Sequence, residues 1–160
     1  MINSIRLFTD GSVNPKLKVG YGAYLVVYDD SQTLDELESS VKTGMFTQTS
    51  STKLELQTLL WALKEISTLN KSVTIYTDSQ NTVGLLNRRI RFEKNGYMTK
   101  KNRLIDNHEL YKEFYEIVDT IECDIIKVKG HKLEKDKDEI DAIFTLVDRA
   151  SRDALRENSL

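Results

Sequence analysis

The segment SVTIYTD, residues 72–78, is an apolar strand pattern that lies between two segments whose apolar residues recur at helical spacing. A strand flanked by helices is typical of a parallel sheet, because parallel neighbours need a crossover connection that is usually a helix. The segment also ends in an acidic residue, Asp78, although β-branched and aromatic residues precede it. This pattern constrains the fold to a helix-covered sheet with polar groups at one edge.

The first 48 residues follow a different pattern. Strand segments at 5–10, 19–30 and 40–48 are separated by turn signals and by an acidic loop at 29–38, which predicts an antiparallel meander. A fifth strand is predicted in CDIIKVKGH, ending at Gly130. The order predicts an α/β fold: a five-stranded mixed sheet with strands 1 to 3 antiparallel, strands 1, 4 and 5 parallel, and helices on both faces.

The predicted helices have recognisable starts. Thr52 and Glu55 form a capping box before the helix predicted over 53–69. Asp78 is positioned to cap a short helix over 79–88. Two further helices are predicted over 107–121 and 138–156.

Length and composition predict one domain over residues 1–160, because the chain has a single proline and no linker-like segment. Its apolar runs fall far short of the roughly 18 residues of a membrane span, and the first residues lack a signal-peptide core. The single Cys123 cannot form an internal disulfide and is interpreted as a reduced core residue. We therefore expect a cytoplasmic protein with no membrane partner.

The charge is unevenly distributed. The net charge is −2, but residues 87–103 contain seven Lys or Arg and one Glu, so this segment carries +6 and the remainder −8. Such a segment favours binding to a polyanion. A merely solvated charged loop is the alternative.

Acidic side chains are predicted to meet at one edge of the sheet. Asp10 and Asp78 follow neighbouring parallel strands, Glu55 lies in the first turn of a helix, and His131 follows another strand. Negative charges that lie so close together need compensation. A hard divalent cation supplies it, and oxygen ligands suit magnesium or manganese rather than zinc. Two such ions about 4 Å apart can activate water and stabilise the leaving oxygen of a phosphodiester.

Each of these residues also has a purely structural interpretation. Asp10 before Gly11 is a turn signal, and Glu55 and Asp78 are helix-capping candidates. His131 is compatible with an exposed loop, and Asp148 with the edge of an amphipathic helix. Only the joint pattern favours a metal site.

The motifs together resemble type 1 ribonuclease H, in order and over essentially the whole chain. The resemblance implies a metal-dependent endonuclease that cuts the RNA strand of RNA·DNA hybrids and leaves a 3′-hydroxyl and a 5′-phosphate. It implies two Mg²⁺ ions, with Mn²⁺ as a substitute, no small-molecule cofactor, and a monomer. The matching motifs are Asp10-Gly11-Ser12, Tyr21-Gly22-Ala23, Glu55-Leu56, Thr77-Asp78-Ser79-Gln80, Gly130-His131 and a final helical aspartate.

The resemblance implies metal binding by Asp10, Glu55, Asp78 and one late aspartate, with His131 assisting proton transfer or product release. The late aspartate has two candidates. Asp141 lies at the family's usual distance of about ten residues from the histidine, whereas Asp148 follows His131 by seventeen. On a helix the two differ by about 20° in direction and about 10 Å along the axis, so only one can reach the metals. Asp148 is favoured because LVDRASRDALR resembles the family's terminal helix.

The resemblance also implies a hybrid-binding surface that includes the basic segment. Three positions depart from the family pattern: Ser51-Thr52 replaces an Asn-Asn pair, Tyr97 stands where tryptophan is common, and Phe144 replaces an asparagine. The implied substrate-binding residues are Gly11, Ser12, Asn14, Ser51, Thr52, Gln80, Arg88, Arg89, Lys100, Lys101 and Asn107.

Three other functions stay open on the sequence. One is a hybrid-binding module of the same fold that is catalytically weak or inactive. Another is a different nuclease of the same superfamily. The last is a small-molecule-binding doubly wound protein, which explains neither the opening meander nor the basic segment.

Overall fold

A five-stranded mixed sheet forms the centre of the computed structural model, which describes residues 4–129, 135 and 138–158. The strand order is β3-β2-β1-β4-β5. The strands are β1 Ser4–Asn14, β2 Val19–Val27, β3 Lys42–Thr47, β4 Ser72–Thr77 and β5 Cys123–Lys127. The helices are α1 Leu34–Ser39, α2 Ser51–Ile66, α3 Gln80–Val83, α4 Leu85–Lys94, α5 His108–Val118 and α6 Glu139–Asn158, with a short 3-10 helix at Ser67–Leu69.

The predicted sheet topology is confirmed. Strands β1, β2 and β3 pair antiparallel, whereas β4 pairs parallel with both β1 and β5. Helices cover both faces. One apolar core joins α2 and α5 to one face of the sheet, and a second joins α1 and α6 to the other.

The first strand is longer than predicted. Asp10 and Gly11 were interpreted as a turn signal, but they pair with Ala23 and Gly22 inside the antiparallel ladder. The chain turns only after Asn14, whose Oδ1 accepts hydrogen bonds from the backbone N–H groups after the strand. The Asp-Gly turn prediction was therefore wrong.

The predicted acidic loop at 29–38 contains helix α1. Thr33 caps this helix, because its hydroxyl accepts a hydrogen bond from the backbone N–H of Glu36 at 3.2 Å. The helix buries Leu37 in the second core. The helix has six residues and only two of them are apolar, Leu34 and Leu37, which is too few to show a helical periodicity and explains why the sequence pattern missed it.

The predicted capping box of the long helix was wrong by two residues. Ser50 caps α2 and accepts a hydrogen bond from the N–H of Lys53 at 3.3 Å. Thr52 and Glu55 lie within the helix instead. Glu55 is therefore not used for capping.

The helix predicted over 79–88 is two helices, α3 and α4, separated by Gly84. Its cap is Ser79 and not Asp78, because the Ser79 hydroxyl accepts from the N–H of Thr82 at 3.1 Å. The backbone N–H of Ser79 in turn donates to Thr77 Oγ1 at 3.1 Å. The carboxylate of Asp78 thus stays available at the end of β4.

Helix α2 packs unusually close to the sheet over two glycines. A Cβ at Gly11 would lie 2.8 Å from Leu54 Cδ2, and one at Gly22 would lie 2.0 Å from Thr58 Oγ1. Real Cβ atoms do not make contacts this short. The glycines therefore set the distance at which α2, and with it Glu55, approaches the sheet.

Among the described residues, no helix combines the length and apolar character needed to cross a membrane.

Candidate active site

Asp10 lies on β1 just beyond the point where the parallel strand β4 ends. Phe8 is the last residue of β1 that pairs with β4, so the two following residues have β2 as their only strand neighbour on this stretch. Side chains alternate along a strand, which puts Asp10 on the same face as Phe8 and Ser12. That face packs against α6, because Ser12 Oγ lies 3.1 Å from Ser151 Oγ.

Asp78 and Glu55 approach the same edge from two other elements. Asp78 follows the last residue of β4, and Glu55 projects from the second turn of α2. Ser79 joins them, because its hydroxyl donates a hydrogen bond to Glu55 while it also caps α3. One serine therefore fixes the start of α3 and the orientation of Glu55.

Asp148 on α6 completes the group. Its side chain shares a hydrogen bond with Asp10, and its negative charge acts on Asp78. The Ser151 hydroxyl donates to the backbone carbonyl of Asp148 at 3.1 Å and contacts Ser12 on β1, which fixes this turn of the helix against the sheet.

Asp141, the alternative late aspartate, lies elsewhere. It is buried at the start of α6, where its Oδ2 accepts from the N–H of Asp138 at 3.1 Å. The N–H of Asp141 donates back to Asp138 Oδ1 at 2.9 Å. This reciprocal pair is a capping arrangement for α6. The structure thus brings Asp148, and not Asp141, to Asp10.

The surroundings of the acids raise the pKa of Asp10, Glu55 and Asp78. Burial, then the charge of Asp78 and the hydrogen bond with Asp148, together raise the pKa of Asp10 to about 8. The pKa of Asp78 is raised by withdrawal from water and then by the charge of Asp148, against the opposing effect of Lys127 and Arg152. Negative charge is thus disfavoured at these positions in the metal-free protein.

The pKa of Glu55 is raised in the same way. Withdrawal from water is the main cause, and the charge of Asp78 adds to it, while the hydrogen bond from Ser79 acts in the opposite direction. A nearby positive charge would therefore stabilise the ionised form of all three carboxyl groups, Asp10, Glu55 and Asp78.

The donor set fits a hard divalent cation, since it consists of carboxylate oxygens whose mutual repulsion a cation would relieve. Within the described part of the chain, no three His, Cys, Asp or Glu side chains already surround a common ion position. The four carboxylates are therefore grouped but not closed around one point, and an ion would have to draw them together.

The predicted substrate residues on β1 have structural partners. Gly11 lies under Leu54 of α2, Ser12 contacts Ser151, and Asn14 closes the turn to β2. Gln80 Oε1 accepts a hydrogen bond from Lys127 Nζ at 2.9 Å. These residues line the same edge of the sheet as Asp10 and Asp78.

Ser51, Thr52 and Asn107 lie around a polar recess of about 490 Å³ or beside it. Asn107 lines the recess together with Lys18 and Lys53. Ser51 and Thr52 are exposed in the first turn of α2 next to it.

Some cationic side chains of the basic segment form contacts within the protein, whereas others are exposed to solvent. Arg88 Nη2 donates to the carbonyl and the side chain of Asn81. Arg89 forms a bidentate pair with Asp119, at 2.6 and 2.9 Å. Lys100 and Lys101, by contrast, are exposed in the loop that follows α4.

His131 and Gly130 lie outside the described residues. Sequence reasoning also gave no site role to three residues that contact the acids or their neighbours: Ser79, Lys127 and Arg152. The spacing of Asp148 and Arg152, four residues apart on a predicted helix, was a usable signal for their ion pair. No local sequence pattern indicates the contact of Lys127 with Gln80, because these residues lie far apart in the chain.

Similarity to known proteins agrees with this geometry. The family model described as RNase H matches residues 3–148, ending at Asp148. A ribonuclease H of Moorella thermoacetica is 26% identical, covering 99% of this chain and 98% of the relative. A ribonuclease H of Aeromonas salmonicida is 31% identical, covering 99% of this chain and 97% of the relative.

The fold also matches a solved structure, that of a foamy viral protease-reverse transcriptase in complex with dsDNA. The TM-score is 0.63 at 11% sequence identity, and the match covers 92% of each chain. At this identity the match shows the fold alone. From the family match and the near full-length relatives, we conclude that this chain belongs to the ribonuclease H family.

Proposed function

We propose that this protein is an endonuclease that hydrolyses the RNA strand of RNA·DNA hybrids with two divalent metal ions, Mg²⁺ or Mn²⁺. The observation that supports the proposal most directly is the convergence of Asp10, Asp78 and Asp148 from β1, β4 and α6. Family membership supports a nuclease that acts on such hybrids.

We assign the metal ligands to Asp10, Glu55, Asp78 and Asp148. Asp10 interacts with both Asp78 and Asp148, whereas Glu55 interacts with Asp78. Asp10 is also the acid whose pKa is raised furthest by its surroundings, and we propose it as the ligand shared between two ions. When bound, the ions would activate the attacking water and stabilise the departing oxygen.

The side chains of the protein orient this site. Ser79 holds Glu55 in place, and Ser151 fixes the turn of α6 that carries Asp148. Asp10 must lose its proton before it can act as a ligand, because only the ionised carboxylate binds a cation well. We assign proton transfer to His131 because an imidazole titrates near neutral pH.

We propose that the hybrid contacts the surface from the recess near Asn107 to the exposed lysines Lys100 and Lys101. Ser51 and Thr52 offer short hydroxyl donors beside the recess. Recognition of the RNA strand requires contact with ribose 2′-hydroxyl groups, which hydroxyl and amide side chains can make. Arg88 and Arg89 contribute mainly by fixing α4, because Asn81 and Asp119 already occupy their guanidinium groups.

A cleavage assay tests the proposal. Purified protein is incubated with an end-labelled RNA·DNA hybrid and with the corresponding RNA, DNA and duplex DNA, with Mg²⁺, with Mn²⁺ or with a chelator. We expect cleavage of the RNA in the hybrid alone, loss of activity with the chelator, and products with 3′-hydroxyl and 5′-phosphate ends. Binding of the hybrid without cleavage in either metal would support an inactive binding module instead.

A further inference from the structure

Arg152 lies on α6 one turn beyond Asp148 and binds both oxygens of its carboxylate. The Nε atom donates to Oδ1 at 3.0 Å, and Nη2 donates to Oδ2 at 2.5 Å. Two parallel charge-assisted hydrogen bonds are a strong and geometrically specific contact. In the metal-free protein, a cation of the chain itself therefore occupies the carboxylate of Asp148.

The charge of Arg152 also acts on a second member of the acidic group. Asp78 experiences its positive charge, and Asp148 in turn shares a hydrogen bond with Asp10. The guanidinium and a divalent ion would therefore neutralise the same carboxylates, and their positive charges would repel each other.

We infer that Arg152 is a positioning residue that competes with divalent metal for Asp148, holding this carboxylate until an ion displaces the guanidinium. The inference rests on the proposed function, because it requires an ion at Asp148. The geometry permits the exchange: the Arg152 side chain is 64% exposed and can turn into solvent, whereas that of Asp148 is only 26% exposed and faces the sheet edge.

The inference also accounts for the open arrangement of the acids. Among the residues that the structure describes, no three acidic side chains surround one ion position. The guanidinium contacts both oxygens of Asp148 on the side of α6 that carries Arg152. Release of Asp148 would therefore be part of closing the site around an ion.

Removal of Arg152 should tighten metal binding. Arg152→Gln removes both the competing hydrogen bonds and a positive charge close to the ion. We expect the Kd for Mg²⁺ to fall about three- to tenfold, since the lost contact and the lost repulsion both favour the ion and solvent screens each of them.

The test is calorimetric titration of hybrid-free protein with Mg²⁺. Arg152→Lys keeps the charge but loses the two-pronged contact, so its Kd should lie between those of the wild type and Arg152→Gln. Arg156→Gln is the matched control, because Arg156 pairs with Asp153 one turn further along the same helix. Its Kd should equal that of the wild type. Thermal unfolding without metal checks that every variant is folded.

Two results would overturn the inference: an unchanged or weaker affinity of Arg152→Gln, or an equal gain in Arg156→Gln, which would indicate only a general charge effect. Hybrid cleavage by the same wild-type preparation distinguishes a failure of this inference from a failure of the proposed function. If the wild type cleaves and Arg152→Gln does not bind Mg²⁺ more tightly, only the inference fails. A wild type that neither binds Mg²⁺ nor cleaves the hybrid would overturn both.

Discussion

The fold and the proposed function of this protein favour opposite protonation states of Asp10. Folding places it between Asp78 and Asp148 and withdraws it from water, so its proton is retained to about pH 8 in the absence of metal. The proposed function requires the ionised form. The unfolding free energy of the metal-free protein should therefore depend strongly on the protonation of Asp10.

The first prediction concerns pH. The pKa of Asp10 is raised on folding, so the folded protein holds a proton that the unfolded chain loses near the ordinary value of 3.8. The unfolding free energy of metal-free protein should thus fall as the pH rises from about 4 to about 8. Urea denaturation with a chelator, repeated across this range, measures the effect.

Two comparisons isolate the contribution of Asp10. Saturating Mg²⁺ should abolish most of the decline, since the ion stabilises the ionised carboxylates. Asp10→Asn should show a flatter dependence, because the acid whose pKa is raised furthest is absent and only the smaller contributions of Glu55 and Asp78 stay. A steep decline that persists unchanged in Asp10→Asn would assign it to other groups.

A second prediction concerns the opposite effects of Asp10→Asn on activity and stability. Loss of the proposed shared ligand should lower hybrid cleavage more than about a hundredfold. Removal of the crowded charge should raise the metal-free unfolding free energy at pH 8 by at least about 1 kcal/mol. Cleavage rates and urea denaturation of the same samples provide both values. An inactive variant that is also destabilised would point to a structural role for Asp10.

Among the helices and strands, the segment after β4 shows that two adjacent residues, Asp78 and Ser79, have different roles. The sequence pattern could identify a helix start near residue 78 but could not decide which of two adjacent capping candidates forms the hydrogen bond. In the structure, Ser79 caps α3 and holds Glu55, which leaves Asp78 for the acidic group. The two polar residues after the strand thus have separate roles: Ser79 caps α3, and Asp78 belongs to the acidic group.

A third prediction follows from this division. Ser79→Ala should lower the unfolding free energy by about 1 kcal/mol through loss of the cap. Asp78→Asn should leave the metal-free protein at least as stable as the wild type but inactive on the hybrid. Thermal unfolding and cleavage assays on both variants distinguish the two roles, and a stability loss in Asp78→Asn equal to that in Ser79→Ala would contradict them.

A fourth prediction concerns the approach of α2 to the sheet. Gly22→Ala should destabilise the protein by about 1 to 3 kcal/mol, because the added Cβ would lie 2.0 Å from Thr58 Oγ1. Adding Thr58→Ala removes the nearest atom and should restore part of the loss. The double-mutant cycle is measured by urea denaturation, and strict additivity would show that the two side chains do not meet.

For the protein as a whole, an acidic edge lies within a chain that also carries a strongly basic segment. The basic charges are not equivalent, since Arg89 is paired with Asp119 and Glu93, while Lys100 and Lys101 are exposed. Phosphate contacts make binding dependent on salt, by about 0.9 in log–log slope per contact in duplex DNA.

The fifth prediction uses this difference. Replacing Lys100 and Lys101 by Gln should weaken hybrid binding and reduce the salt slope by up to about 2, with stability unchanged. Arg89→Gln should instead lower stability and alter the slope less. Binding of catalytically inactive Asp10→Asn protein to a labelled hybrid at several salt concentrations gives the slopes. A larger change in slope for Arg89→Gln would reverse the assignment.

The sequence predicted the sheet topology and the grouping of the acids because both depend on long, regular patterns. Alternating helix and strand segments leave few possible topologies, and the residue after a parallel strand falls at a known edge. Features set by single contacts were harder. Helix α1 buries one residue, the caps at Ser50 and Ser79 compete with polar neighbours, and Arg152 binds Asp148 through a contact common on any helix surface.

The most direct test is a crystal of the protein soaked in Mn²⁺, with the ions located by their anomalous scattering. We predict two peaks about 4 Å apart. Carboxylate oxygens of Asp10 should lie within bonding distance of both, one peak should also contact Asp148, and Asp141 should stay at the start of α6. No ion at Asp10, or an ion bound by Asp141 in place of Asp148, would contradict the account.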